Sequence, residues 1–247
     1  MASDNDILLS VRDLTKHYTL KRGRPGSAEW TVGTLPVLNG VTFDLRRGES
    51  LAIVGERGTG KTTLARLLVQ LQPPTSGEVY FDGRPLSGLR GGAMREFRRR
   101  VQIIFQDPYA ALSPRLTVGQ IIAEPMEVHR LYAGPARAHK IAELLEMVGL
   151  NSYYESRSPL EFSGAQRQRV AIARALSLSP EVLIWDAPAT QLEPAAAIGL
   201  RDLLIRLRRR LHLTCLVLTR SLDEAGAAGD RVVALAEGKI VESAPTR

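Results

Sequence analysis

The passage from Leu51 to Leu71 constrains this chain more than any other. A short apolar run, Leu51–Val54, leads into Gly-Glu-Arg-Gly-Thr-Gly-Lys-Thr-Thr at Gly55–Thr63. Leu64, Leu67, Leu68 and Leu71 then recur at the spacing of one helix face. A buried strand, a loop fitting G-x-x-x-x-G-K-[ST] and an amphipathic helix, in that order, are the parts of a phosphate cradle. Gly55, Gly58 and Gly60 let the backbone turn its N–H groups inward, with Glu56, Arg57 and Thr59 between them. The positive end of the helix lies beneath the phosphates. Lys61 is expected to reach the β- and γ-phosphates and the Thr62 hydroxyl to ligate Mg²⁺, with Thr63 completing the loop. A glycine-rich turn without a ligand has no need of lysine, strand and helix together. The expected cofactors are ATP and Mg²⁺.

Around this unit strands alternate with helices, which predicts a parallel sheet with crossover helices. Further strands are expected at Gly77–Asp82, Val101–Phe105, Val182–Trp185, Thr214–Thr219 and Arg231–Leu235. Ile7–Leu14 and Val41–Leu45 alternate apolar with polar residues and are expected to form an antiparallel flank. Pro194 opens a helix with Leu200, Leu203, Leu204, Leu207 and Leu211 on one face. Between about Pro108 and Leu178 the strand signal vanishes, and helices are expected at Val118–Val128, Ala136–Val148 and Ala165–Leu178. Lys21–Gly33 and Ser87–Gly92 read as loops. The predicted fold class is α/β, a P-loop NTPase with a RecA-like parallel sheet core and an antiparallel β flank. The whole chain reads as one domain, with the core at 1–107 and 179–247 and an inserted helical subdomain at 108–178.

Composition narrows the setting. The 247 residues suit one α/β domain with a modest insertion, and 44% hydrophobic residues suffice for a core. No apolar run approaches the roughly 18 residues of a membrane helix. The start, MASDNDILLS, lacks the basic and apolar regions of a secretory signal, so a cytoplasmic setting is the default. Cys215, in the apolar run CLVL, reads as a core thiol. The net charge of +7 fits nucleotide phosphates, nucleic acid or an anionic membrane surface. Arg98–Arg100 and Arg208–Arg210 lack the interleaved aromatics of a single-strand-binding surface and read as solvated helix ends.

Asp186 closes the strand Val182–Trp185, where a carboxylate near the phosphate loop can coordinate Mg²⁺. Alone, such an aspartate is as readily a helix cap. The order of motifs resembles the ATPase subunits of ABC-type transporters across nearly the whole chain. The nearest branch is similar to import subunits for oligopeptides, dipeptides and nickel. These carry stretches like VQIIFQDPYAALSPRLTV, here Val101–Val118, and FSGGQRQRVAIARAL, here FSGAQRQRVAIARAL at Phe162–Leu176.

That resemblance implies roles residue by residue. Tyr18, in KHYTL, falls where an aromatic stacks on adenine; a strand aromatic packed on the sheet is the other reading. Gln106 falls at the loop glutamine that touches Mg²⁺ and relays to the membrane subunit. Ser163, Gly164 and Gln166 fall in the signature, which contacts ATP held by the opposite subunit; a hydroxyl and N–H groups at a helix N-terminus suit a γ-phosphate. ATP would be sandwiched between two ATPase subunits whose closure drives transmembrane permease subunits. The expected place is the cytoplasmic face of the membrane, as a peripheral subunit with no nucleic-acid partner.

The chain departs from the family pattern at four points. Ala187 stands where the family has glutamate after Asp186, so the general base for water is absent, a loss of about 10²–10⁴ in rate. Arg220 stands in place of the switch histidine; it is a cation for a γ-phosphate or a solvated arginine at a strand end. Ala165 replaces a signature glycine, at a cost if the backbone there needs a positive φ. Thr190-Gln-Leu-Glu193 replaces S-A-L-D, which touches contacts across the dimer. The expectation is an ATP-binding subunit with weak turnover, paired with a different, active chain. The branch commonly continues past the segment at Gly238–Glu242, whereas this chain stops at Arg247, as a fragment or short variant would. Two other readings stay open. One is a non-transport ABC ATPase acting on nucleic acid or ribosomes, the other a regulatory module that binds ATP without hydrolysis.

Overall fold

The computed structural model describes residues 6–22, 30–107 and 112–241. The chain divides into two compact units, Met1–Leu89 with Leu218–Arg247, and Arg90–Val217. In the first, β1 (Ile7–Arg22) and β2 (Trp30–Arg46) pair antiparallel. With β4 (Ser76–Phe81) and β5 (Arg84–Pro85) they form a sheet of order β2-β1-β4-β5; β1 and β2 are the expected antiparallel flank, and β4, read with the strands of the parallel sheet, joins it instead. Leu9, Val11, Val41, Phe43 and Leu45 turn into the core, while Arg12 and Asp44 pair at 2.7 Å on the outside. A bulge at Asp13 (φ +48) is matched on β4 by Gly77, where a Cβ would lie 2.3 Å from the Asp13 carbonyl oxygen.

Both long strands run further than the alternation suggests. Lys21, Arg22 and residues 30–33, expected in a loop, are strand; residues 23–29 lie outside the described residues. Beyond Thr15 no β4 partner is in register with β1, and Leu20 and Leu35 are about half exposed. None of the described side chains at 16–20 and 33–37 is fully buried, so nothing there imposes a period of two.

The largely parallel sheet runs β10-β9-β3-β8 in the first unit and β8-β7-β6 in the second. Here β3 is Ser50–Val54, β6 Val101–Ile104, β7 Val182–Asp186, β8 Thr214–Thr219, β9 Arg231–Ala236 and β10 Lys239–Val241. β3 lies parallel to β9, and β6 to β7. Every residue of β7 and β8 is buried, Cys215 included, as continuous apolar runs require when both faces of a parallel sheet are covered. β9 turns into antiparallel β10 through Glu237 and Gly238, both at positive φ, a tight two-residue hairpin.

Helix α1 (Lys61–Leu68) buries Leu64, Leu67 and Leu68 but stops before Leu71, which is 53% exposed. The first unit also holds α7 (Leu222–Ala228). The second holds α2 (Gly91–Arg100), α3 (Val118–Val128), α4 (Pro135–Met147), α5 (Gly164–Leu176) and α6 (Pro194–Leu211). α6 buries Leu200, Leu203, Leu204 and Leu207. α2 is unexpected: it starts on Gly91 and Gly92, inside the predicted loop, and buries Phe97 alone. Both arginine clusters are last helical turns, where cations meet the negative end of the helix. Arg100 is not simply solvated, since its guanidinium forks onto Glu181. Among the described residues, no helix is long and apolar enough to cross a membrane.

Candidate nucleotide-binding site

In the first unit, β3 delivers the chain into the glycine loop and α1 leads out of it. The Gly55 N–H donates to the Thr219 carbonyl (3.1 Å), fixing the start of the loop to the end of β8. The Thr59 N–H and hydroxyl both donate to the Glu56 carbonyl, at 3.3 and 2.9 Å, and close the bend. Glu56 and Arg57 are exposed at its tip. The three glycines meet different demands. A Cβ at Gly55 would stand 2.7 Å from the Leu235 carbonyl oxygen. Gly58 has open space but φ +87. Gly60 has φ +101, and its Cβ would meet the Leu38 side chain at 2.8 Å and the Val37 carbonyl at 2.9 Å.

Lys61 is 8% exposed and folds back over the loop. Its ammonium donates to the carbonyls of Gly55 (2.6 Å) and Glu56 (2.8 Å) and to the Thr59 hydroxyl (3.3 Å). A phosphate offers charged acceptors, whose Coulomb attraction for an ammonium exceeds that of neutral carbonyls. Gly60 begins α1 without a side-chain cap, and no acidic residue sits in the first turn to offset the helix dipole. Thr62 and Thr63 lie half-buried in that turn. A loop packed so closely that positions 55 and 60 admit no side chain, a lysine folded over it and an uncapped helix start fit a nucleotide's phosphates.

Tyr18, on β1, is half-buried and tethered within the first unit. Its hydroxyl donates to Gln72 Oε1 (2.7 Å), and Lys16 Nζ stands 5.3 Å from the ring centroid. Arg220, just past β8, is exposed and makes no hydrogen bond or ion pair among the described residues. Ser221 behind it caps α7 by accepting from the Glu224 N–H (3.1 Å).

In the second unit, Asp186 ends β7 at 2% exposure. Ala187 follows in the left-handed region (φ +46) and its carbonyl accepts from the Thr190 N–H (3.2 Å). Gln106 sits half-buried just after β6. Ser163 is the N-cap of α5: its hydroxyl accepts from the Gln166 N–H (3.3 Å), and Gln166 Oε1 accepts from the Ser163 N–H (2.9 Å). A serine that accepts in a cap retains its O–H proton to donate, which is what a phosphate oxygen requires. Ala165 is helical and not at positive φ, so the feared backbone penalty does not arise. Gly164 is the tighter position, where a Cβ would lie 3.3 Å from Leu192, in the Thr190–Glu193 segment. Among the described residues no cluster of three or more acidic, histidine or cysteine side chains could hold a metal by itself. Mg²⁺ is commonly bound through one or two carboxylates together with substrate phosphates.

Sequence reasoning gave no role to Arg167, Gln168 and Arg169, which lie within the FSGAQRQRVAIARAL stretch and reach backbone carbonyls of three segments. The only hint was a run of long polar residues continuing into a helix whose other face is apolar.

Loop, lysine and helix together define a P-loop nucleotide-binding protein. The model of the ABC transporter family matches residues 38–190. A probable peptide ABC transporter ATP-binding protein, y4tS of Sinorhizobium fredii, is 41% identical over 98% of this chain and 67% of its own length. The oligopeptide transport ATP-binding protein AppF of Bacillus subtilis is 38% identical over 98% of this chain and 73% of its own. Among solved structures, the dimeric ATP-binding cassette MJ0796 bound to ADP and Pi matches with a TM-score of 0.83 at 28% identity, over 97% of this chain and 99% of that one. CbiO1 of Clostridium perfringens, part of the transporter complex cbiONQ, matches at 0.78 and 27%, over 96% and 87%. The chain belongs to the ABC transporter family, as an ATP-binding subunit related to peptide-import ATPases. Membership implies ATP and Mg²⁺ as ligands.

Proposed function

We propose that this chain is the ATP-binding subunit of a peptide importer, and that its own site holds Mg²⁺-ATP but turns it over slowly. The observation that carries this is an intact phosphate cradle in a chain with a methyl group after Asp186. The relatives named for peptide and oligopeptide transport support the cargo class. Gly55–Thr63 would bind the phosphates, Tyr18 the adenine, and Thr62, Gln106 and Asp186 the metal. Mg²⁺ held by these residues would supply charge neutralisation to the phosphates. Ser163, Gly164 and Gln166 would donate to ATP on a second, different ATPase chain. Transmembrane permease subunits would hold both ATPases at the cytoplasmic face of the membrane. Residues 108–178 would form the signature subdomain and the remainder the nucleotide-binding core.

The chemistry divides between what is kept and what is lost. Lys61 and the loop N–H groups stabilise phosphate charge. The Ala187 methyl accepts no proton from water, and Arg220 is a fixed cation that serves as no neutral relay. Hydrolysis by the purified chain, with Lys61→Ala as the blank and Ala187→Glu beside it, tests the reading. Wild type should bind ATP and hydrolyse it near the blank's rate, and Ala187→Glu should gain about 100-fold or more. Wild-type turnover far above the blank overturns slow hydrolysis; absence of Lys61-dependent ATP binding overturns the site.

A further inference from the structure

Three consecutive side chains at the head of α5 grip the main chain of three other segments in the second unit. Arg167 donates to the carbonyls of Pro159 (2.8 Å) and Leu160 (3.1 Å), just before the signature. Arg169 donates to the Val148 carbonyl at the end of α4 (2.5 Å). Between them, Gln168 Nε2 donates to the carbonyls of Gln106 (3.0 Å) and Phe105 (3.3 Å). The Gln168 amide thus spans the peptide that carries Gln106. Two carbonyl acceptors fix which end of the amide is NH₂.

Gln168 is 1% exposed, and its Oε1 has no hydrogen-bond partner among the described residues. Burying an amide with one end unpaired costs stability, which an apolar side chain of equal size would not. Packing alone is therefore a poor account of this residue. Gln168 also lies five residues after Ser163 on one rigid helix, a rise of about 7.5 Å.

We infer that Gln168 is a positioning residue for Gln106, holding its backbone so that the side chain is presented to Mg²⁺ at a fixed place. The same amide ties the Gln106 loop to the helix whose first turn is the signature, so a shift of one is felt by the other. The inference rests on the proposed metal role of Gln106.

The test uses Gln168→Leu, with the unbranched Gln168→Met as a second variant against misfolding. Two readouts are taken on the full chain. Without nucleotide, hydrogen exchange of residues 103–107 should accelerate about tenfold while α5 changes less than about twofold. With ATP, the Mg²⁺ concentration for half-maximal binding should rise about tenfold, the usual size of a lost supporting contact around a metal. ATP affinity in EDTA should stay unchanged, and Gln106→Ala with Gln168→Leu should be no worse than Gln106→Ala alone. Unchanged loop exchange, an affinity loss equal with and without Mg²⁺, or additive effects in the double variant each overturn the inference. Should wild type bind no ATP, the proposed function fails instead, and the exchange measurement still decides whether Gln168 holds the loop.

Discussion

At the residue scale, the glycines of the phosphate loop look interchangeable in the motif but carry different burdens. Gly58 needs only a left-handed backbone, whereas Gly60 needs that backbone and the space a methyl group would take from Val37 and Leu38. Gly58→Ala should therefore cost about 1–2 kcal/mol, the penalty of the left-handed region. Gly60→Ala adds overpacking, worth about 1–3 kcal/mol more. Urea denaturation compares them, and equal costs would remove the steric part of the argument. Chemical identity at this scale is legible: Lys61 and Arg220 are cations, Asp186 a carboxylate and Ala187 a methyl group. Gln168 was not readable, because its meaning lies in two carbonyls about sixty residues earlier in the chain.

At the element scale, caps and charges give separable tests. Ser163 serves α5 as a cap and is also the proposed donor to a partner's ATP. Ser163→Ala should destabilise the chain by about 1 kcal/mol in the absence of any nucleotide. Ser163→Asp should keep the cap and repel the phosphate, so thermal stability and function part company; if both variants melt alike, the cap contributes nothing. His129 ends α3, and its pKa is lowered from 6.5 by burial first, then by Arg99 and Arg95 of α2, against a smaller pull from Glu96. The negative end of its own helix would raise it, so burial and the arginines win. As pH falls below 6.5 the unfolded chain takes up this proton before the folded one, so stability declines between 6.5 and the folded value and levels off below both. Arg99→Ala should move the His129 NMR titration upward; an unmoved midpoint would mean that Arg99 does not act on the ring.

Elements with a one-sided apolar pattern were legible, and α3 matches its expected bounds because Thr117 and Gln120 box its start. α2 was missed because two glycines open it and one buried residue cannot make a period.

At the scale of the whole molecule, the expected residues fall into both compact units: the glycine loop and Tyr18 in one, Gln106, Asp186 and the signature in the other. The order of these motifs is legible along the chain; the two compact units follow from where long-range contacts are dense. Ligand linkage gives the matching prediction. Mg²⁺-ATP at about 100 times its Kd should raise the unfolding free energy by about 2.7 kcal/mol. Calorimetry should show that rise in wild type and lose it in Lys61→Ala; a rise that survives the substitution would place binding elsewhere than the loop.

The hydrogen bonds described above from the head of α5 end on main-chain oxygens. Such an oxygen is the same atom whichever residue carries it. Phe105, Val148, Pro159 and Leu160 offer the acceptor through their main chain, whereas an apolar residue at Arg167, Gln168 or Arg169 withdraws a donor. The joint is thus spelled on one side only. The gripped residues answer to their own packing, Val148 being fully buried, whereas the gripping residues answer to the bond itself.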